Sequence, residues 1–338
     1  PQARMVQFSA GISGEVYIFL ADEARNNVAL NGDLDLSINP KGRFGFRLFD
    51  NFSRTVRPYT GRANPDVTIA NGIDNNVAGV QLFGRSRGGT LQSSLGYAFR
   101  LQYFEATELR YANQFGHQIS ADTHFRFLPS TSLFWDGNLE LTDYYNSPTG
   151  EAISLSNNWR LRTRVGLNGA ITPKLSLTLA IGYGATFVQD PAFNDFESVI
   201  AHASMKYRFS PTTSLGLGFE RENVGSIIGL SRVQNRGFLT FQWLLGRSFL
   251  LGVNASVAYV DFGLVLDGTG ASLGERTDVI VMASLFGEYR FTDYLGLNVS
   301  LAYTGDYTDF EYQVAGAPTP DPAGFNKFEA WLGLRVFY

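Results

Sequence analysis

The chain has no cysteine among its 338 residues. That excludes disulfides and every thiolate nucleophile or thiolate metal site, and it suits a protein exported through an oxidising compartment. Histidine is nearly as scarce, at His117, His124 and His202. His124 shares a strand face with Ser120, Asp122 and Arg126, which reads as a polar side chain paired with its neighbours rather than as a general base. GxSxG spacing occurs at Gly84–Gly88 and Gly270–Gly274, neither on a strand-to-helix turn, and there is no HExxH. The Gly-rich stretch "DGTGASLGE" (Asp267 to Glu275) is not framed by a strand and a helix, so a phosphate cradle has no support. Acids in the connecting segments lack the ligand spacing of an EF-hand. No catalytic residue, no metal and no cofactor is expected, and the chain does not read as an enzyme. The net charge of −4 argues against nucleic acid as a partner. Also missing is any run of about 18 apolar residues, the length a transmembrane helix needs. The opening "PQARM" carries no signal peptide and reads as a mature N-terminus after cleavage.

What the sequence does have is glycine (36 residues), aromatics (14 %) and a persistent period of two. The stretch "WRLRTRVGLNGAITPKLSLTLAIGYGATF" (Trp159 to Phe187) shows the pattern. Arg160, Arg162 and Arg164 fall on one side of a strand, because successive side chains alternate faces. After "ITPK", Leu175, Leu177, Leu179, Ile181, Tyr183 and Phe187 take one face, and Ser176, Thr178, Ala180, Gly182 and Thr186 the other. Sixteen such segments cover residues 5–20, 27–39, 42–55, 76–88, 90–105, 115–128, 132–146, 156–170, 175–189, 196–209, 214–224, 231–245, 248–262, 276–291, 295–308 and 326–338. No helical stretch separates them. The connections alternate without exception between tight ("PKG", "GG", "PSTS", "TPK", "SPTT", "GRS", "TDY") and longer polar ones. This pattern predicts one all-β domain over 1–338, a closed up-and-down antiparallel transmembrane barrel of sixteen strands, fourteen to eighteen being the range. Short turns and both termini are periplasmic, and the long loops are external. Such barrels pass hydropathy tests unnoticed, because lipid-facing and lumen-facing residues average out.

The apolar face is consistent: Leu30, Leu34, Leu36 and Ile38; Leu91, Leu95, Tyr97 and Phe99; Val253, Val257 and Tyr259; Val279, Val281 and Leu285. Aromatics gather near strand ends, as interfacial girdles would place them. A large soluble β-sandwich also alternates, but its polar face would carry Lys and Glu. Here that face is Gly, Ser, Thr, Asn and Arg, and lysine occurs only at Lys41, Lys174, Lys206 and Lys327.

The closing "FEAWLGLRVFY" resembles the C-terminal signal of Gram-negative outer-membrane barrels, with Phe328, Leu332, Leu334, Val336 and Tyr338 in the alternating apolar and terminal aromatic positions. That family most often ends in Phe, so the terminal Tyr departs from its pattern. Units such as "YRFSPTTSLGLGF" and "YRFTDYLGLNVSLAY" resemble the β-barrel porins of proteobacteria, some of which accompany surface-polysaccharide export. The resemblance implies an outer-membrane location. It also implies contact with outer-membrane lipid and lipopolysaccharide, recognition by the barrel-assembly machinery, and periplasmic or export partners.

Period two places Arg43, Arg47, Arg85, Arg87, Arg100, Arg160, Arg162, Arg164, Arg232 and Arg236 on the inner face. Asp33, Asp35, Asp136, Glu140, Glu220 and Glu222 share that face. Acids and arginines group on neighbouring strands, where opposite charges stabilise a ladder. Lys206 and Arg208 are expected beside Glu220 and Glu222. The cations outnumber the acids, and Arg43, Arg47, Arg85, Arg87 and Arg100 form one basic wall. The expected function is a pore for small hydrophilic, anionic solutes. The alternative is the barrel component of a larger export or envelope-spanning machine, plugged when isolated. A constriction would come from the segment 56–75, with Arg57, Arg62 and Asp66, or from 309–325.

Overall fold

The computed structural model describes residues 5–18, 27–55, 72–105, 107–145, 155–190, 195–226, 230–246, 248–266, 272–312 and 321–336. Its strands are β1 (Val6–Tyr17), β2 (Asn27–Ile38), β3 (Phe44–Thr55), β4 (Ile73–Arg85), β5 (Leu91–Phe104), β6 (Gln114–Leu128), β7 (Thr131–Tyr144) and β8 (Asn158–Ala170). They continue with β9 (Leu175–Val188), β10 (Phe196–Ser210), β11 (Thr213–Ser226), β12 (Leu230–Leu245), β13 (Phe249–Leu266), β14 (Ser272–Thr292), β15 (Leu295–Tyr307) and a last strand, Phe325–Val336. All sixteen form one antiparallel up-and-down sheet in chain order, curled like a barrel wall. The expected strand number and connectivity are those observed. Each strand is 12 residues or longer, more than the roughly 10 residues that carry a tilted strand across a bilayer. Pairing every backbone group to a neighbouring strand is what allows a sheet to sit in hydrocarbon.

The hairpins are sharp where the sequence permits. Gly88 and Gly89 both have positive φ, 86° and 68°, inside a short turn that Ser86 N closes by donating to Leu91 O. The connection expected across "LVLDGTGASLGER" is instead mostly strand. β13 runs to Leu266 and β14 starts at Ser272, with register shifts on both sides of that pairing. Gly274 takes φ 110° there, a conformation that admits glycine readily and side-chain-bearing residues rarely. The connection between β5 and β6 holds a 3₁₀ segment, Thr107–Ala112.

Leu34, Leu82, Leu95, Ile181 and Val257 point outward and are exposed, as an apolar belt requires. Among the described residues the two apolar clusters of the inward face lie toward the end with the long connections. One cluster joins Phe104, Ala112, Tyr144 and Leu155, with Ile73, Tyr111 and Val188 against it. A second joins Ala258, Val260, Phe262 and Ile280, covered by Phe310. Fully burying one such large side chain contributes about 1.5–3 kcal/mol. Between β1 and the last strand the described residues form no ladder. Ile12 and Leu332 on these edges are 81 % and 73 % exposed, against 44 % for Leu179 inside the sheet. Of the expected assembly signal, Phe328, Leu332, Leu334 and Val336 lie in the last strand and are exposed, and Tyr338 falls outside the described residues.

Candidate functional site in the lumen

The inner face is organised by ion pairs whose partners the register selects. β7 and β8 place Asp136 opposite Arg164 and Glu140 opposite Arg160. Arg164 Nε donates to both Asp136 oxygens, at 3.1 and 3.2 Å. Glu140 accepts from Arg160 at 3.5 Å and, across β6, from Arg100 at 2.6 Å. Arg162 faces Asn138 on β7. It turns the other way to Glu222 on β11, at 3.7 Å, where Arg164 also comes within 3.9 Å. Glu220 takes Arg236, its register partner on β12, at 2.5 Å, with His202 4.0 Å away. Arg47 pairs with Asp35.

The contact from β8 to β11 skips two strands. Three flat strand spacings would be about 14 Å, and here the wall folds inward. It does so where the β10–β11 ladder ends at Ala201↔Arg221 while β11 stays paired with β12 as far as Ser226. Past that point Asn223 of β11 donates to Thr186 Oγ1 of β9 at 3.3 Å. A side chain at Gly184 would sit 3.3 Å from Asn223 Cβ. Val224, Gly225 and Ser226 then face the wall of β4–β8 across a polar cleft of about 270 Å³, lined also by Asn75, Arg100, Gln102, Glu140 and Arg160. The end of β11 therefore narrows the inner space here. Of the segments expected to form a constriction, 56–71 with Arg57, Arg62 and Asp66, and 313–320, lie outside the described residues. Any side chain at Gly225 would run into the Arg160 guanidinium. Gly225→Val should displace Arg160, loosen the brace and lower the temperature at which the unheated, fast-migrating form converts on a denaturing gel; an unchanged transition would count against the brace.

The expected basic wall divides. Arg47 lies level with Gln81 and, through it, with Gly96, whereas Arg100 stands four residues further along β5 and belongs to Glu140. Arg43 and Arg87 sit in turns rather than in strands, both exposed, and Arg85 ends β4 with its guanidinium 5.7 Å from the Phe83 ring. Lys206 and Arg208 stand opposite Gly216 and Ser214, away from Glu220 and Glu222. Face assignment by period two gives no register, and turn length decides which residues meet. Asp33 faces Gly11 and Asn51 in its ladders. Arg232 is 4 % exposed and lies over the Phe262 ring at 5.5 Å. Sequence reasoning missed the cluster beside it. Arg276 donates to Asp278 at 2.9 and 2.6 Å, comes within 3.6 Å of Asp306, and stacks on Phe262 at 4.8 Å. The alternation Arg276, Asp278, Ile280 carried the signal.

Chemically, this is a charged, hydrogen-bonding passage. No group of residues suited to a metal ion occurs among the described residues. Outside the strands, burial raises the Tyr145 phenol above its usual range, helped by Tyr103.

An apolar belt outside, a charged inner face and sixteen meandering strands define an outer-membrane barrel. The family model described as "Putative beta-barrel porin 2" matches residues 23–236, and the chain belongs to that family. It is a protein of the bacterial outer membrane. Among solved structures the copper transporter OprC is similar at 11 % identity and TM-score 0.54, covering 98 % of this chain and 62 % of that one. The FrpB iron transporter of Neisseria meningitidis in its apoprotein form gives 12 %, 0.54, 89 % and 56 %. The siderophore receptor PirA of Pseudomonas aeruginosa gives 12 %, 0.50, 91 % and 66 %. The chain thus spans less than two thirds of the length of these proteins, and at such identity the likeness is one of fold. No curated protein matches the chain.

Proposed function

We propose that the barrel is a pore for small hydrophilic solutes that favours anions. The observation that carries this reading is the charge inventory of the inner face. Arg47, Arg100, Arg160, Arg162, Arg164 and Arg236 are shared among Asp35, Asp136, Glu140, Glu220 and Glu222, six cations on five acids. Arg43, Arg85, Arg87, Lys206 and Arg208 form no ion pair among the described residues. A surplus of fixed cations in a water-filled passage raises the local anion concentration. The cleft between β11 and β4–β8 is where a solute would be held most closely, by Arg100, Gln102 and Arg160. The test is conductance of the purified barrel in a planar bilayer under a salt gradient. A steady current with a reversal potential of anion-selective sign is expected, and Arg100→Gln with Arg160→Gln should shift that potential toward cation preference. No current from a folded barrel would reject the pore.

A second reading is the barrel component of an export or envelope-spanning machine, closed until a partner engages it. The two apolar clusters at the long-loop end and the infolded β11 favour it, since both occupy space that a free channel would leave to water.

A further inference from the structure

The short-turn end of the barrel carries a pattern that the ion ladders do not absorb. Of the seven hairpins at this end, the first holds Lys41 and Arg43, the second Arg85 and Arg87, the third Arg126, the fourth Lys174, and the fifth Arg208. None of these forms an ion pair among the described residues, and all but the half-buried Arg85 are exposed. In the described turns and the three strand residues flanking each, Asp293 of the seventh hairpin is the one acid. The chain as a whole is negative, −4, so the opposite end is acidic by difference. Asp74, Glu105, Asp143, Asp190, Asp195, Glu197 and Asp309 lie there. Above this rim most inner cations are paired, starting with Arg47 on Asp35 and Arg164 on Asp136; Lys206, two residues in from Arg208, pairs with no acid among the described residues. The uncompensated field is therefore strongest at the rim.

We infer that this rim is a docking surface for an acidic polypeptide segment of a periplasmic partner. Size decides against a single small anion as its purpose. Successive turns lie two strand spacings apart, about 10 Å, so five turns make a positive arc of about 40 Å. Membrane headgroups fit less well. Arg85 shares the face of Gln81, Arg126 that of Asp122 and His124, and Arg208 that of Lys206, which is the inner face and not the lipid-facing one. Short turns leave the arc open to a partner approaching along the barrel axis. An extended acidic segment of about 12 residues covers 40 Å at roughly 3.3 Å per residue. The inference does not depend on whether the passage conducts.

The test uses the whole barrel in zwitterionic nanodiscs and a fluorescent polyglutamate of about 20 residues, long enough for the arc, read by anisotropy. Binding is expected at about 50 mM salt and should weaken about tenfold or more at about 200 mM, because exposed charges are screened. The variant R43E/R85E/R126E/R208E should lose at least about tenfold in affinity, and the milder R43Q/R126Q part of it. Both variants are first checked for the folded, heat-modifiable form. A polylysine of the same length should not bind through the rim. No binding of polyglutamate, or equal binding by wild type and R43Q/R126Q, would overturn the inference. Binding abolished when the nanodisc contains phosphatidylglycerol would assign the arc to lipid headgroups and overturn it as well. Conductance, measured separately, bears only on the pore.

Discussion

Asp278→Ala should lower the stability of the barrel by about 3 kcal/mol, the scale on which breaking a buried pair leaves a charge uncompensated. Asp278 has no exposed surface and accepts two hydrogen bonds from Arg276, itself 3 % exposed. Asp306, 3.6 Å from the same guanidinium, would remain beside it. The Phe262 and Phe310 rings on either side of Arg276, at 4.8 and 5.7 Å, admit little water to help. Urea unfolding in lipid vesicles, followed by tryptophan fluorescence, is the measurement. Pairing the change with Arg276→Met and Asp306→Asn should recover much of the loss, because removing all three charges leaves a shape the apolar cluster of Val260, Phe262 and Ile280 can accept. A triple variant no better than the single would mean that geometry rather than charge is at stake.

Ile181→Arg should cost about 2–4 kcal/mol, the penalty for a cation on the lipid face near the bilayer midplane. Ile181 points outward from the middle of β9 and is 59 % exposed, flanked on its face by Leu179 and Tyr183. Thr178→Arg, on the inner face of the same strand, should cost far less because it meets a polar passage. Equal losses at the two positions would contradict the assignment of faces. Folded yield into vesicles of defined thickness separates the two outcomes.

The face of nearly every strand was legible from period two. Leu175 through Phe187 reads as outward without any structure, and the outward face observed for β9 is the same. Register was not legible. Glu222 reads as one more inward acid of its own strand, and nothing near it in the chain names a partner. Its arginines, Arg162 and Arg164, come from β8, and only the infolding of β11 brings them together. This narrowing hid for the same reason: Asn223 to Ser226 reads as ordinary strand, and Gly225 gains meaning only when Arg160 is found against it. The strand extension through Leu266 and Ser272 was hidden by glycine and aspartate, which signal a loop locally while a bulge at Gly274 keeps the ladder going.

The reach from β8 to β11 has a mechanical meaning. A wall stapled across its own interior cannot widen and narrow freely as a cylinder would. Glu222 and its two arginines act as that staple, at separations of 3.7 and 3.9 Å and on side chains that water still reaches. Raising ionic strength from about 0.15 M to about 1 M shortens the screening length from about 8 to about 3 Å. Added salt would therefore slacken the wall, so that the width of its interior becomes a property of the solution as much as of the protein.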